Sequence, residues 1–176
     1  MKGFTKEECD QWRQAHGYGS ESFDPRWPSE QPKPKAFRFV KLSIPSDSGR
    51  RVALARQLMS HVQDDSELLL QITDWSVWAS GQHHPLFTRF RQALGETRHL
   101  IEAPGQCFSA AERDDALSTL VVSALFLWDC YAYCAGGGLV IFLSHDEYGW
   151  IATKDKDTYS AAEENLKRWD ILIEDD

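Results

Sequence analysis

The densest group of reactive side chains in the sequence is the run Ser144, His145, Asp146 and Glu147. This run directly follows Leu139 to Leu143, an apolar segment with the composition of a buried strand. Binding and catalytic groups are commonly mounted at strand ends, because the strand fixes their position while the loop stays accessible. Four interpretations of the run follow: a catalytic site, a metal site, a structural turn and a partner-binding surface.

The first interpretation is a cysteine hydrolase. His145, paired with a carboxylate such as that of Asp146, would act as the general base, and Cys107 would be the nucleophile. The sequence predicts that Cys107 precedes the N-terminus of a helix, where the helix dipole would lower the pKa of the thiol. Neither the residues around Cys107 nor those around His145 carry the signature of a known hydrolase class.

The second interpretation is a metal site near the same run. The candidate ligands are His145, Asp146 and Glu147, with His83, His84, Cys130 or Cys134 to complete the shell. Structural zinc sites ordinarily show paired motifs such as C-x-x-C, and the sequence has none. On a predicted strand Cys130 and Cys134 lie about 13 Å apart, at roughly 3.3 Å per residue, which is too far to bind one ion together. We therefore predict no metal and no cofactor.

The third interpretation is a structural turn, in which Ser144 or Asp146 bonds to nearby backbone amides. The fourth uses the same turn as a partner-binding surface, next to a second group formed by two tryptophans and two histidines. Tryptophan is enriched at binding hot spots because it buries a large rigid area and keeps one hydrogen-bond donor, although core packing is its commoner role. The residues that we expect at a partner interface are Trp75, Trp78, His145, Asp146 and Glu147, and the second group also contains His83 and His84.

The elements that must position these residues predict an α+β domain. Apolar periodicity indicates an early β-α-β unit, two further helices, a C-terminal antiparallel meander and a closing helix. The predicted strands are 37–44, 68–72, 130–134, 139–143 and 148–153. The predicted helices begin near Thr5, Ser46, Pro85, Ser109 and Ser160, and the first, fourth and fifth have the Ser/Thr-x-x-Glu pattern of a capping box. We expect a single domain with a mixed sheet packed with about five helices.

The chain divides into three parts by composition. Residues 1–18 form an N-terminal helix, residues 19–36 contain four Pro, and residues 37–176 form the single α+β domain. The middle part is predicted to be a wrapping loop or a linker. Phe23 and Trp27 favour a loop that docks onto the domain, because large aromatic side chains are stabilised by burial.

The formal net charge of −8 is unevenly distributed along the chain. Residues 1–60 carry 11 basic and 7 acidic side chains, whereas residues 61–176 carry 8 and 20. An acidic surface repels the phosphates of nucleic acids and the head groups of anionic lipids, so we expect neither nucleic acid nor a membrane as a partner. The same charge favours a basic protein partner.

The cysteines and the apolar segments predict a cytoplasmic protein. Cys9, Cys107, Cys130 and Cys134 show no tight spacing pattern, and we expect them to be reduced. The first residues lack the apolar stretch of a secretory signal, since charges interrupt it repeatedly. The most apolar segment, 116–128, has 13 residues, whereas a bilayer span needs about 20.

The functional expectation is a non-enzymatic binding protein. Small acidic α+β chains with many Trp are the general type found among bacterial immunity proteins, and this chain has seven Trp. By that analogy of class we expect an immunity- or antitoxin-like protein that binds a basic protein partner. The alternative is a small hydrolase that uses Cys107 and His145, or a metal-assisted site near His145, Asp146 and Glu147. The sequence leaves the partner, the substrate and the oligomeric state open.

Overall fold

In a computed structural model, the described strands hydrogen-bond into one sheet of eight strands. The structure describes residues 1–18, 36–75 and 84–173. The strands are β1 (Lys2–Phe4), β2 (Arg38–Ser43), β3 (Leu68–Asp74), β4 (Gly105–Phe108), β5 (Asp129–Cys134), β6 (Leu139–Leu143), β7 (Tyr148–Thr153) and β8 (Leu172–Ile173). The helices are α1 (Lys6–Ala15), α2 (Ser48–Met59), α3 (His84–Ala93), α4 (Arg113–Phe126) and α5 (Lys156–Arg168). The α+β class is confirmed.

The strand order across the sheet is β1-β4-β3-β5-β6-β7-β2-β8, and every described pairing is antiparallel. The two strands that precede and follow α2 in the chain, β2 and β3, run in the same direction, as a β-α-β unit requires. They are not neighbours, because the β5-β6-β7 meander lies between them. The described sheet therefore lacks the parallel pair expected of a mixed sheet, because three strands lie between β2 and β3 and each described strand pairs only with strands that run in the opposite direction.

The meander is confirmed over nearly the predicted residues. β5 and β6 form a hairpin whose turn contains Gly136 and Gly137, with φ values of +90° and +68°. Only glycine adopts such values readily. A Cβ atom at Gly137 would also overlap the backbone oxygen of His16, so the turn both reverses the chain and lets α1 approach it.

The two faces of the sheet are covered by different helices. The larger cluster of buried apolar residues contains side chains from α2, α3, α4 and α5, all on one face. The second cluster, on the opposite face, receives Cys9 and Trp12 from α1. It is rich in aromatic side chains from neighbouring strands, among them Tyr131, Phe142 and Trp150.

Local hydrogen bonds explain where the helices begin. The capping boxes at Thr5 and Ser109 are confirmed, and the second opens a short 3₁₀ turn that leads into α4. The predicted start of the last helix at Ser160 is wrong. α5 begins at Lys156, because the carboxylate of Asp155 accepts the backbone N–H of Thr158 at 2.7 Å and caps the helix five residues before Ser160.

Three short strands were not predicted. β1 and β8 lie at the two edges of the sheet, and β4 lies between β1 and β3. With two to four residues each, they are too short to show a clear alternation of polar and apolar side chains. The loop with Phe23 and Trp27 lies outside the described residues. Within the three described ranges, none of the helices is both long enough and apolar enough to cross a membrane.

Candidate functional site

The candidate site is the turn between β6 and β7, together with the strand ends beside it. The pairing of Cys130 with Leu143 places the start of β5 next to the end of β6. Asp129 therefore lies beside the turn, and on its other side it is in register with Asp74 at the end of β3. Four carboxylates thus come to one end of the sheet, those of Asp74, Asp129, Asp146 and Glu147.

Asp129 holds His145 by two hydrogen bonds. One oxygen of its carboxylate accepts the backbone N–H of His145 at 2.7 Å and lies 2.8 Å from Nδ1 of the ring. Asp129 is only 6% exposed. A buried carboxylate needs such donors to offset the loss of hydration, so the pair fixes both the backbone and the ring of His145.

The electrostatic environment raises the pKa of both partners. Burial raises the pKa of Asp129, and the hydrogen bonds from His145 offset this effect only in part. Burial alone would lower the pKa of His145, but the hydrogen bond to Asp129 and the charges of Asp129, Asp146 and Asp74 together raise it. The two shifts are compatible, because burial outweighs the hydrogen bonds at Asp129, whereas the surrounding carboxylates outweigh burial at the more exposed ring.

The backbone of the turn is held at several further points. Ser144 donates its backbone N–H to the Tyr148 oxygen at 2.8 Å, and its hydroxyl accepts the N–H of Asp146 at 3.2 Å. The N–H of Ile44, just after β2, donates to the oxygen of Glu147 at 2.7 Å. Glu147 has a φ of +63°, a left-handed conformation that costs a non-glycine residue energy and that these bonds stabilise.

Two carboxylates of the turn point to solvent. The side chain of Asp146 is 60% exposed, and its Oδ1 lies 3.5 Å from Nε2 of His145. The side chain of Glu147 is 57% exposed and lies 3.4 Å from Nη2 of Arg51. Arg51 is itself buried, and it donates to the backbone oxygens of Pro45 at 2.6 Å and Leu125 at 3.1 Å.

A cleft of about 410 Å³ opens beside these carboxylates. Its lining residues are Leu127, His145, Asp146 and Glu147. Leu127 ends α4 in a left-handed conformation with a φ of +52°. The C-terminus of a helix carries a partial negative charge, so α4 adds to the negative potential of the two carboxylates. The cleft combines one apolar wall with acceptor groups, which suits a cationic side chain with an aliphatic stem.

The predicted aromatic group lies partly at the same end of the sheet. Trp75 directly follows Asp74, is half-buried, and packs against the larger core cluster. Its ring is stacked on that of His84, with 6.2 Å between the centroids. Trp78 and His83 lie outside the described residues. Of the five residues that we predicted at a partner interface, the structure thus brings four to one end of the sheet.

Cys107 is not near His145. It lies in β4, two residues before the Ser109 cap of the 3₁₀ turn that leads into α4, so it does precede a helix N-terminus as predicted. Three strand spacings of about 4.8 Å, or roughly 14 Å, separate β4 from β6. Burial raises the pKa of the Cys107 thiol well above its usual range, and the hydrogen bond to Glu67 raises it further. The expected lowering of this pKa is therefore wrong, and the pairing of Cys107 with His145 does not form.

The described residues give no support to the metal interpretation. Among them, no group of three or more His, Cys, Asp or Glu side chains is arranged to hold a metal ion. Cys130 and Cys134 are both buried in the larger core cluster, where burial raises each thiol pKa to about 12. The neighbours of His145 are instead the carboxylates of Asp129 and Asp146.

The partner of His145 was the main feature that the sequence reasoning missed. Asp129 was not among the residues predicted at the site, but a signal for the pairing existed. The glycine turn at 136–138 sets the register of the β5-β6 hairpin, and counting outward from it brings Asp129 opposite Ser144. Arg51 and Leu127 had no comparable signal, because their approach to the turn depends on how α2 and α4 pack.

The fold and the site together define an α+β protein with a rigid acidic turn, residues 144–147, anchored by a buried aspartate. The turn lies at one end of an antiparallel sheet, beside a cleft lined by Leu127, His145, Asp146 and Glu147. No family model, no curated protein and no solved structure matches this chain.

Proposed function

We propose that this chain is a binding protein that recognises a basic protein partner through the acidic turn 144–147, in the manner of an immunity or antitoxin protein. The observation that supports this most is the exposure of Asp146 and Glu147 on a backbone fixed by hydrogen bonds. A rigid turn loses little conformational entropy on binding, so its charges contribute to affinity at low cost. The expected location of such a protein is the cytoplasm.

The cleft beside the turn gives the partner a defined point of attachment. A lysine or arginine side chain would lay its aliphatic stem on Leu127 and place its charge near Asp146 and Glu147. Trp75, at the same end of the sheet, would add apolar contact area. The net charge of −8 would speed the encounter with a cationic protein, because long-range attraction steers the two molecules together.

The test is capture of a partner by three immobilised forms of the chain. They are the wild type, the double variant D146K/E147K, and the control variant D64K/D65K. The control changes the net charge by the same amount, lies at the opposite end of β3, and also loses one exposed ion pair, Asp64 with Arg113. The proposal expects a basic protein bound stoichiometrically by the wild type and the control, and lost from D146K/E147K. Equal capture by all three forms would remove the turn from the interface.

A second candidate function is supported by the Asp129–His145 hydrogen bond. A carboxylate that fixes Nδ1 of a histidine leaves Nε2 as the basic atom, which is the arrangement of general bases in hydrolases. This version of the hydrolase hypothesis keeps His145 and Asp146 and no longer uses Cys107. It predicts hydrolysis of activated esters that is lost in H145Q and D129N. The same rate in all three proteins would set it aside.

A further inference from the structure

We propose that His145 is a protonation-controlled latch that determines whether the carboxylate of Asp146 is paired with the imidazole ring or available to pair with a partner. The effect of this latch on binding rests on the proposed function, since it requires a partner that contacts the turn. The latch itself depends only on the contacts of His145 with Asp129 and Asp146.

The protonated form of the ring explains the geometry seen in the structure. An imidazolium has two N–H donors. One donor, at Nδ1, meets the buried carboxylate of Asp129 at 2.8 Å. The other, at Nε2, faces Oδ1 of Asp146 at 3.5 Å, within the range of an ion pair. The ring then bridges a buried carboxylate and an exposed one, and the carboxylate of Asp146 is drawn toward the ring.

Loss of the proton changes only one of these two contacts. Asp129 accepts hydrogen bonds as a carboxylate, so the remaining hydrogen stays at Nδ1. Nε2 then presents a lone pair to Asp146, and two acceptors repel each other. Since Asp146 is 60% exposed, its carboxylate can turn away at little cost. Neutral His145 therefore releases Asp146, while the backbone of the turn stays anchored to Asp129.

The charged groups around His145 determine how the net charge of the site changes when the ring is protonated. Among the described residues, Asp129 faces the ring from β5, Asp74 acts on it from β3, and Asp146 acts on it from the turn itself. Glu147 is the neighbouring carboxylate, and Arg51 from α2 lies close to it rather than to the ring. The set formed by Asp129, His145 and Asp146 carries a charge of −1 when the ring is protonated and −2 when it is neutral.

The consequence for binding is a weaker interaction at low pH. Protonation both lowers the negative charge of the turn and engages the carboxylate that would contact the partner. At a surface site, loss of one such interaction corresponds to an affinity weaker by roughly two- to fivefold. A basic partner is therefore held more tightly when the pH lies above the pKa of His145 than when it lies below.

The experiment is an NMR pH titration of the full chain without any partner. It follows the ring of His145 and the side-chain carboxyl carbon of Asp146 in the wild type, in D146N and in the control variant D65N, which removes a different exposed carboxylate. The latch predicts that Asp146 senses the titration of His145. It also predicts that D146N lowers the pKa of His145 while D65N leaves it unchanged. A carboxyl signal without an inflection where His145 titrates, or the same His145 pKa in all three proteins, would overturn the proposal.

A second measurement separates this inference from the proposed function. The affinity of a deca-arginine peptide is measured above and below the pKa of His145, for the wild type and for H145Q. The latch expects the wild type to bind roughly two- to fivefold more weakly below that pKa, and H145Q to show no such step. A step of the same size in H145Q would count against the latch. If the peptide does not bind at any pH, the proposed function fails, and the titration alone still decides whether the latch exists.

Discussion

The carboxylate of Asp129 lies 2.8 Å from Nδ1 of His145 and 2.7 Å from its backbone nitrogen. The buried side chain of Asp129 thus fixes the position of His145, which directly precedes the exposed Asp146 and Glu147. The arrangement separates two roles, since Asp129 anchors the turn while Asp146 and Glu147 remain exposed.

Replacement of Asp129 by Ala is expected to destabilise the fold. It removes a charged acceptor that pairs with two donors of His145, and hydrogen bonds to charged groups contribute about 1.5–3 kcal/mol each. Because Asp129 also loses hydration on burial, we expect a net loss of about 2 kcal/mol in the free energy of unfolding. Chemical denaturation measures this value. Asp146→Ala is the control, with an expected change within about 0.5 kcal/mol, and an equal effect of both variants would contradict the anchoring role.

The stability of the protein should depend on the protonation of His145. Its pKa is raised in the folded state, so the fold binds the proton more tightly than the unfolded chain does. The resulting stabilisation is fully present below the ordinary His pKa of about 6.5 and is lost as the pH rises through the raised value. The free energy of unfolding of the wild type should therefore decrease, relative to that of H145Q, from about pH 6.5 upward. Parallel pH profiles of the two proteins would show that the pair has no effect on stability.

Cys107 is expected to react slowly with alkylating reagents in the folded protein. Its thiol is buried, and its pKa is raised by burial and by the hydrogen bond to Glu67, so little thiolate forms near neutral pH. Mass spectrometry after timed treatment with iodoacetamide measures the rate at this residue, and a sample in denaturant gives the reference. Rapid modification of the folded chain below pH 7 would restore the cysteine hydrolase as a candidate.

Gly105 is predicted to be required where α1 packs on the sheet. A Cβ atom there would overlap the sulfur of Cys9 and come within 3.0 Å of Cβ of Phe4. Overpacking of this kind costs about 1–3 kcal/mol, so Gly105→Ala should lower the midpoint of thermal unfolding. Adding Cys9→Ala should recover part of the loss, because it removes the closest obstacle. Additive effects of the two substitutions would mean that the side chains do not meet.

The sequence predicted well those elements that have a long local signal. The meander of 130–134, 139–143 and 148–153 was found because strand alternation and the glycine turn agree. The closing helix was found from its apolar periodicity, but its start was misplaced. Both Asp155 and Ser160 can cap a helix, and only the N–H of Thr158 on the Asp155 carboxylate shows which one does.

The long-range arrangement could not be predicted to the same extent. No local pattern indicates that the whole meander inserts between β2 and β3, because strand order depends on how complete elements pack. The distance between Cys107 and His145 could not be predicted for the same reason, because it depends on the strand order. The contacts that shape the candidate site, from Arg51 to Glu147 and from Asp129 to His145, join residues far apart in the chain.

The central claim, that the acidic turn binds a basic partner, is tested most directly by association kinetics. The rate constant of association of the captured partner is measured at several salt concentrations for the wild type, D146K/E147K and D64K/D65K. We expect D146K/E147K to associate at least about tenfold more slowly at low salt and to lose most of the salt dependence, whereas the control, with the same change in net charge, is slowed far less. Equal slowing in the two variants would show that net charge alone governs binding, and would contradict a specific role for the turn.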